Sequence, residues 1–305
     1  MTDDSTPTNS TRTNSTLTSR RTVLTGIAAT LSTATVVGAQ ETTTEEGETT
    51  TGDETTTEAE TTTERGETRT FEVRIVNISG PNALTPEDGE PGPVVLSPGA
   101  YAVHTPAVQL FAPGESASAG LEALAEDGDP TTLGEEVTGA DGILESGAFD
   151  TPIAGGEPGP IGPGSAYGFR FEAAPGERLS FATMFVPSND LFFAPGPQGI
   201  ELFRNGDAVS GEVTEQVALW DAGTEQNEEP GTGPNQAPRQ SGPDTGPDED
   251  APVRRIEEVD DGYEYPSVSD SIQVLVVPEG GDLGGQTTAE GETTTGAGGT
   301  TTTTN

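Results

Sequence analysis

The sequence predicts an all-β protein: an antiparallel β-sandwich with one short helix and long Gly/Pro-rich loops, flanked by disordered tails. Three observations carry this. Short apolar stretches with period-two alternation recur between Gly/Pro punctuation across residues 70–278. One stretch alone has helix spacing, Ala117, Leu121, Leu124 and Ala125, and it stops before Gly128. The segments outside 70–278 are low in apolar residues or read as an address, so they add nothing to a core.

Taken in order, residues 1–39 read as an export signal. Ser19-Arg20-Arg21-Thr22-Val23-Leu24 precedes a mild, small-residue apolar run from Thr25 to Val37, and Val37-Gly38-Ala39 suits a signal peptidase. Paired arginines before so mild a core resemble a twin-arginine signal, the route for proteins exported already folded. The run is shorter than the roughly 20 residues a membrane span needs. With no cysteine after it to carry a lipid and no apolar stretch near the C-terminus, the protein is expected outside the cell or at its surface, without a membrane span. Residues 40–69, as in Thr42-Thr43-Thr44-Glu45-Glu46, and the tail 279–305 are low-complexity, expected to be disordered and suited to O-glycosylation.

Within 70–278, Phe71–Val76 opens with strict alternation, and Tyr101–Val103 and Val108–Phe111 are short strand candidates. Tyr167–Phe171 puts its aromatics on one face, and Leu179–Val186 is apolar enough for a central strand. Ile200–Phe203 and Val213–Trp220 flank Asn205-Gly206, a dipeptide suited to a tight hairpin turn. Ser271–Val277 closes the set as a buried strand. Ala222 to Pro252 is rich in Gly, Pro and acids, and a loop of that length is expected to be functional or mobile. Asn77-Ile78-Ser79 is a glycosylation sequon in the folded region.

Charge narrows the setting and excludes whole classes. The chain carries 52 Asp and Glu against 12 basic residues, all arginine, for a formal net charge of -40. So large an excess makes a compact state repel itself in dilute salt, whereas at 1 M salt the Debye length falls to roughly 3 Å. The expectation is a halophile's protein. A polyanion is a poor partner for nucleic acid, because phosphate contacts need clustered basic side chains. With one histidine and no cysteine, a blue-copper site cannot form and no disulfide staples the fold. His104 lies beside no nucleophile-elbow pattern, so it is expected to be structural and the protein non-catalytic.

Two motifs carry the remaining chemistry. Phe185-Val186-Pro187-Ser188-Asn189-Asp190 and Leu219-Trp220-Asp221-Ala222-Gly223-Thr224-Glu225 each run from an apolar strand into an aspartate among turn-forming residues. If the strands are neighbours, both carboxylates project from one end of the sandwich. With Glu225, loop carbonyls and water they would make the hard oxygen site that calcium prefers. The competing reading is that Asp190 and Asp221 only cap turns.

The same motif pair resembles the spondin N-terminal domain family, with a strand ending in Ser-Asn-Asp followed by a Trp-Asp-Ala-Gly-Thr-acid segment. The resemblance covers most of 70–278. It implies an antiparallel β-sandwich with a calcium ion at one end and a role in extracellular adhesion. It places Asp190 and Asp221 as calcium carboxylates and takes a third ligand upstream of the 179–186 strand, where Glu172 fits better than Glu177. Leu191 stands where that family usually has an aromatic, and the long loop after Glu225 departs from animal members. The expected function is a secreted, non-catalytic, calcium-binding adhesion or surface-interaction module facing a surface-layer protein or glycan. The alternative is a carbohydrate-binding or carbohydrate-active extracellular protein.

Overall fold

The computed structural model describes residues 66–87 and 89–281. The expected export signal, the expected linker up to residue 65 and the tail from residue 282 lie outside the described residues.

Among the described residues, thirteen strands and three helices follow in this order: β1 Arg69–Asn77, β2 Leu96–His104, α1 Ala119–Asp127, α2 Thr131–Val137, β3 Ile143–Phe149, β4 Ala166–Ala173, β5 Arg178–Phe185, β6 Leu191–Pro195, β7 Ile200–Glu201, β8 Phe203–Arg204, β9 Asp207–Ala208, β10 Gly211–Glu212, β11 Val217–Asp221, β12 Arg254–Arg255, α3 Val268–Ser271 and β13 Ile272–Pro278. Their pairing is antiparallel throughout. One sheet runs β10-β13-β1-β4, a second runs β12-β11-β6-β5-β2-β3 with β7 on β5, and β8-β9 form a separate two-stranded hairpin.

The two sheets have different sequence signatures because they are covered differently. In the four-stranded sheet Phe71, Val73 and Ile75 of β1, Tyr167, Phe169 and Phe171 of β4 and Val274 and Val276 of β13 are buried, while the residues between them reach solvent. That is the alternation of a sheet packed on one face. In the seven-stranded sheet β6 and β11 are buried along their whole length and β5 nearly so. Leu179, Phe181, Phe185, Phe193 and Leu219 pack toward the other sheet. Ala182, Phe192, Ala194, Ala218 and Trp220 pack against Leu121 and Leu124 of α1 and Leu133 and Val137 of α2. The molecule therefore has three layers: sheet, sheet and helices.

Most of the strands expected from alternation are present, and the differences have local causes. Val108–Phe111 is not a strand; Phe111 is a loop residue whose ring meets Phe192 at 5.2 Å and Trp220 at 4.9 Å. The hairpin at Asn205-Gly206 pairs Phe203 and Arg204 with Ala208 and Asp207, not with Val213–Trp220. Three helices replace the single one expected. The helix read from Ala117–Ala125 is α1, with Ser118 accepting from the Leu121 N–H and Gly128 as its C-cap. The helix α2 escapes periodicity because seven residues show only Leu133 and Val137 on a buried face. Strand β2 continues through Pro98-Gly99 across a register shift. A Cβ at Gly99 would overlap both the Ala182 carbonyl and the Phe149 ring, so only glycine fits between these strands.

Asn77 is buried at the end of β1. Its Nδ2 donates to the carbonyls of Val94 (2.9 Å) and Ile161 (3.2 Å), and its Oδ1 accepts from the Ser79 N–H and hydroxyl. The sequon's amide is thus occupied inside the fold and closed to a glycosyl group.

Candidate metal centre

Strands β6 and β11 are neighbours, and Asp221 stands opposite Leu191, the residue after Asp190. Both motif aspartates therefore sit at one end of the seven-stranded sheet. The turn from β5 into β6 is closed by Ser188, whose hydroxyl donates to the Phe185 carbonyl and accepts from the Leu191 N–H at 3.1 Å. That holds Asp190 in place with no solvent exposure. Its Oδ2 accepts from the N–H groups of Thr224 (2.8 Å) and Glu225 (3.2 Å). Asp221, equally buried, accepts through Oδ2 from Asn227 Nδ2 (2.9 Å) and Arg254 Nη2 (3.2 Å). The other oxygen of each carboxylate, Oδ1 of Asp190 and of Asp221, is buried with no hydrogen-bond partner.

The electrostatics follow from that burial. Desolvation, then the charge of Asp221, pushes the Asp190 carboxyl up to about 7, against the pull of the Thr224 and Glu225 N–H groups. Asp221 is also raised by desolvation, opposed first by the Arg254 guanidinium. Arg254 is shared with Glu249 at 2.7 Å, and the Glu249 charge weighs on both aspartates. Two desolvated carboxylates with unpaired oxygens are short of positive charge, and one arginine on the far oxygen of Asp221 supplies only part of it.

The loop after Asp221 is tied down by its own backbone. Gln226 and Glu249 N–H groups donate to the Pro247 and Thr224 carbonyls, and Ala251 donates to Gly223. Gly223, at φ 71°, turns the chain back as expected; a Cβ there would lie 2.5 Å from the Ala251 carbonyl oxygen. Glu225 is nearly fully buried, accepting from Gly246 N–H (2.7 Å) and Asn189 Nδ2 (3.2 Å). Its carboxylate lies within 4.8 Å of ligand oxygens of Glu126 and Asp244, forming a second acidic cluster beside the first. Burial pushes Glu126 up to about 8, with the Glu225 charge adding to it and the Thr224 hydroxyl opposing.

The fourth expected ligand is elsewhere. Glu172 lies on β4 opposite Thr70, in the other sheet, and its N–H donates to Glu145 Oε2 at 3.0 Å. Strand β5 starts after the turn that follows β4 and runs its eight residues away from there before reaching Asp190, about 23 Å at the rise of a strand. Glu172 is therefore at the opposite end of the sandwich. A position upstream in sequence says nothing about which end of an antiparallel sheet a residue occupies. Motif reading also does not reach Glu126, Asn227, Asp244, Glu249 or Arg254. Of these, Arg254 carried a usable signal: a basic pair, Arg254-Arg255, in a chain so poor in cations. Arg255 is spent on Trp220, its guanidinium 4.9 Å from the ring centre.

The lone histidine is internal to the seven-stranded sheet. His104 is fully buried, with Nε2 2.9 Å from Ser180 Oγ and Nδ1 2.8 Å from the Thr105 carbonyl oxygen. That carbonyl can only accept, so Nδ1 carries the proton and Nε2 accepts from the serine.

Compared with known families, residues 96–238 match the family model described as Spondin_N. The match runs from β2 into the loop after Glu225 and contains Asp190, Asp221 and Glu225. No curated protein matches the chain.

Proposed function

We propose that the chain, whose residues 96–238 match the Spondin_N family model, is a calcium-binding, non-catalytic surface-interaction module. The observation that carries this reading is the pair of buried, unpartnered Oδ1 atoms on Asp190 and Asp221. Unsatisfied buried charge is costly, and a hard divalent cation relieves it where a turn cap does not. Asp190 and Asp221 would hold the ion, with loop carbonyls and water completing its shell. The bound ion would neutralise this end of the sandwich and stiffen the 222–252 loop into a fixed face for a surface-layer protein or glycan. The Arg20-Arg21 signal supports export through the twin-arginine route, and the charge of -40 supports a life in concentrated salt.

Calorimetric titration of the full chain with calcium in molar KCl tests the site. Saturable binding, lost in Asp190→Asn/Asp221→Asn, is the expected result; absence of heat in the intact protein returns both aspartates to turn capping. A carbohydrate-binding role is the second reading. It is favoured by Tyr263, an exposed aromatic that borders two clefts of about 500 and 850 Å³. Saturable glycan binding that Tyr263→Ala abolishes and chelator leaves intact would favour it over the calcium-dependent face.

A further inference from the structure

The direction of each strand places the two chain exits and the acidic site at opposite poles. β1 enters the domain at Arg69 and β13 leaves it at Pro278, and these strands pair with Phe71 opposite Pro278. The Glu279 N–H donates to the Thr70 carbonyl at 2.8 Å. Gly66 lies beside Ala174 and Pro175, in the turn between β4 and β5. Residues 66 and 281, the two ends of the described stretch, therefore lie at one pole. The other pole is marked by Asn77, whose amide reaches Val94, and by Phe185, which stands opposite Leu96. Asp190 lies just beyond. The nine residues of β1 set the poles about 26 Å apart.

The two exits are not held equally. β1 is an inner strand, laddered along its length to β13 on one side and β4 on the other. β13 has β1 on one side, but on the other only the two residues of β10. Along β1, Phe71, Val73 and Ile75 are also locked into the core. Tension between the N-terminal exit and the acidic pole acts along β1 and must slide it past both neighbours, loading all their hydrogen bonds together. Tension between the two exits acts across the β1–β13 ladder and opens it pair by pair, beginning at Thr70–Glu279.

We propose that the domain is a tension-bearing module loaded through Arg69, with β1 as the shear-loaded clamp and the acidic pole as the loaded face. The clamp follows from strand direction alone; only what is grasped at the acidic pole rests on the calcium-dependent reading above.

Single-molecule pulling on the full chain tests it. The chain has no cysteine, so Ser269→Cys, exposed at the far pole beside the start of β13, gives a unique thiol for attachment. Rupture between an N-terminal handle and that thiol is expected at a force roughly twofold or more above that between N- and C-terminal handles, because ladder bonds share load in one geometry only. Equal forces, or the reverse order, overturn the proposal. Thermal melting checks the variant, and the exposed Asp270→Cys replaces it if Ser269→Cys melts lower. Repeating both pulls in chelator separates the two ideas. Anisotropy in both buffers with no heat in the calcium titration sinks the calcium site alone, and calcium binding without anisotropy sinks the clamp alone.

Discussion

Replacing Asp190 with asparagine should change the sign of its effect with calcium. The substitution keeps the shape and the acceptor that takes the Thr224 and Glu225 N–H bonds. It removes a charge that burial has pushed from 3.8 up to about 7. Keeping that carboxylate ionised out of water costs on the order of a few kcal/mol above pH 7. The new amide nitrogen sits where the unpartnered Oδ1 was and recovers less than that, since an unsatisfied donor costs about 1–3 kcal/mol. In chelator, Asp190→Asn should therefore stabilise the domain by about 2 kcal/mol, or ~4–8 °C at this size. With calcium at a hundred times its dissociation constant the wild type gains about 2.7 kcal/mol, a gain the variant should lose. Differential scanning calorimetry in molar KCl, with and without chelator, reads both arms, and buried Trp220 offers a fluorescence check. An equal drop in melting temperature in both buffers would refute the reasoning and leave Asp190 as a turn cap.

Metal-free stability should depend on pH in a fixed direction. Asp190 and Glu126 have folded values raised to about 7 and about 8, above their ordinary 3.8 and 4.5, so their contribution is fully present below the ordinary values and is lost as pH rises through 7–8. A chelated melt that rises across that window would contradict this, and saturating calcium should flatten it. Gly99→Ala should destabilise by about 1–3 kcal/mol or more, since its methyl meets Ala182 and Phe149; urea melts would show it as a lower midpoint. Peptide mapping should find Asn77 free of sugar after expression in a glycosylating host, and Asn77→Ala should cost about 1–3 kcal/mol for each buried partner left unsatisfied. Glu172→Ala should leave the calcium affinity unchanged by calorimetry, because that residue is at the far pole.

What could be read from sequence was whatever depends on a residue's near neighbours along the chain. Alternation in Phe71–Val76 and Tyr167–Phe171 marks one-sided strands because a pleat sends successive side chains to opposite faces. The helix stripe ending at Gly128 is equally local, and so are the two motifs, each a strand with its own turn. The site's other members depend on contacts far apart in sequence. Glu126 meets Glu225 because α1 covers the seven-stranded sheet, and Arg254 reaches Asp221 because the loop folds back to pair β12 with β11. Glu172 misleads because it is close in sequence to the start of β5 while the site lies at its end, and an antiparallel strand carries those two points apart. Only the assembled sheets decide which carboxylates share a pole, since burial and charge act through space and the chain records only order.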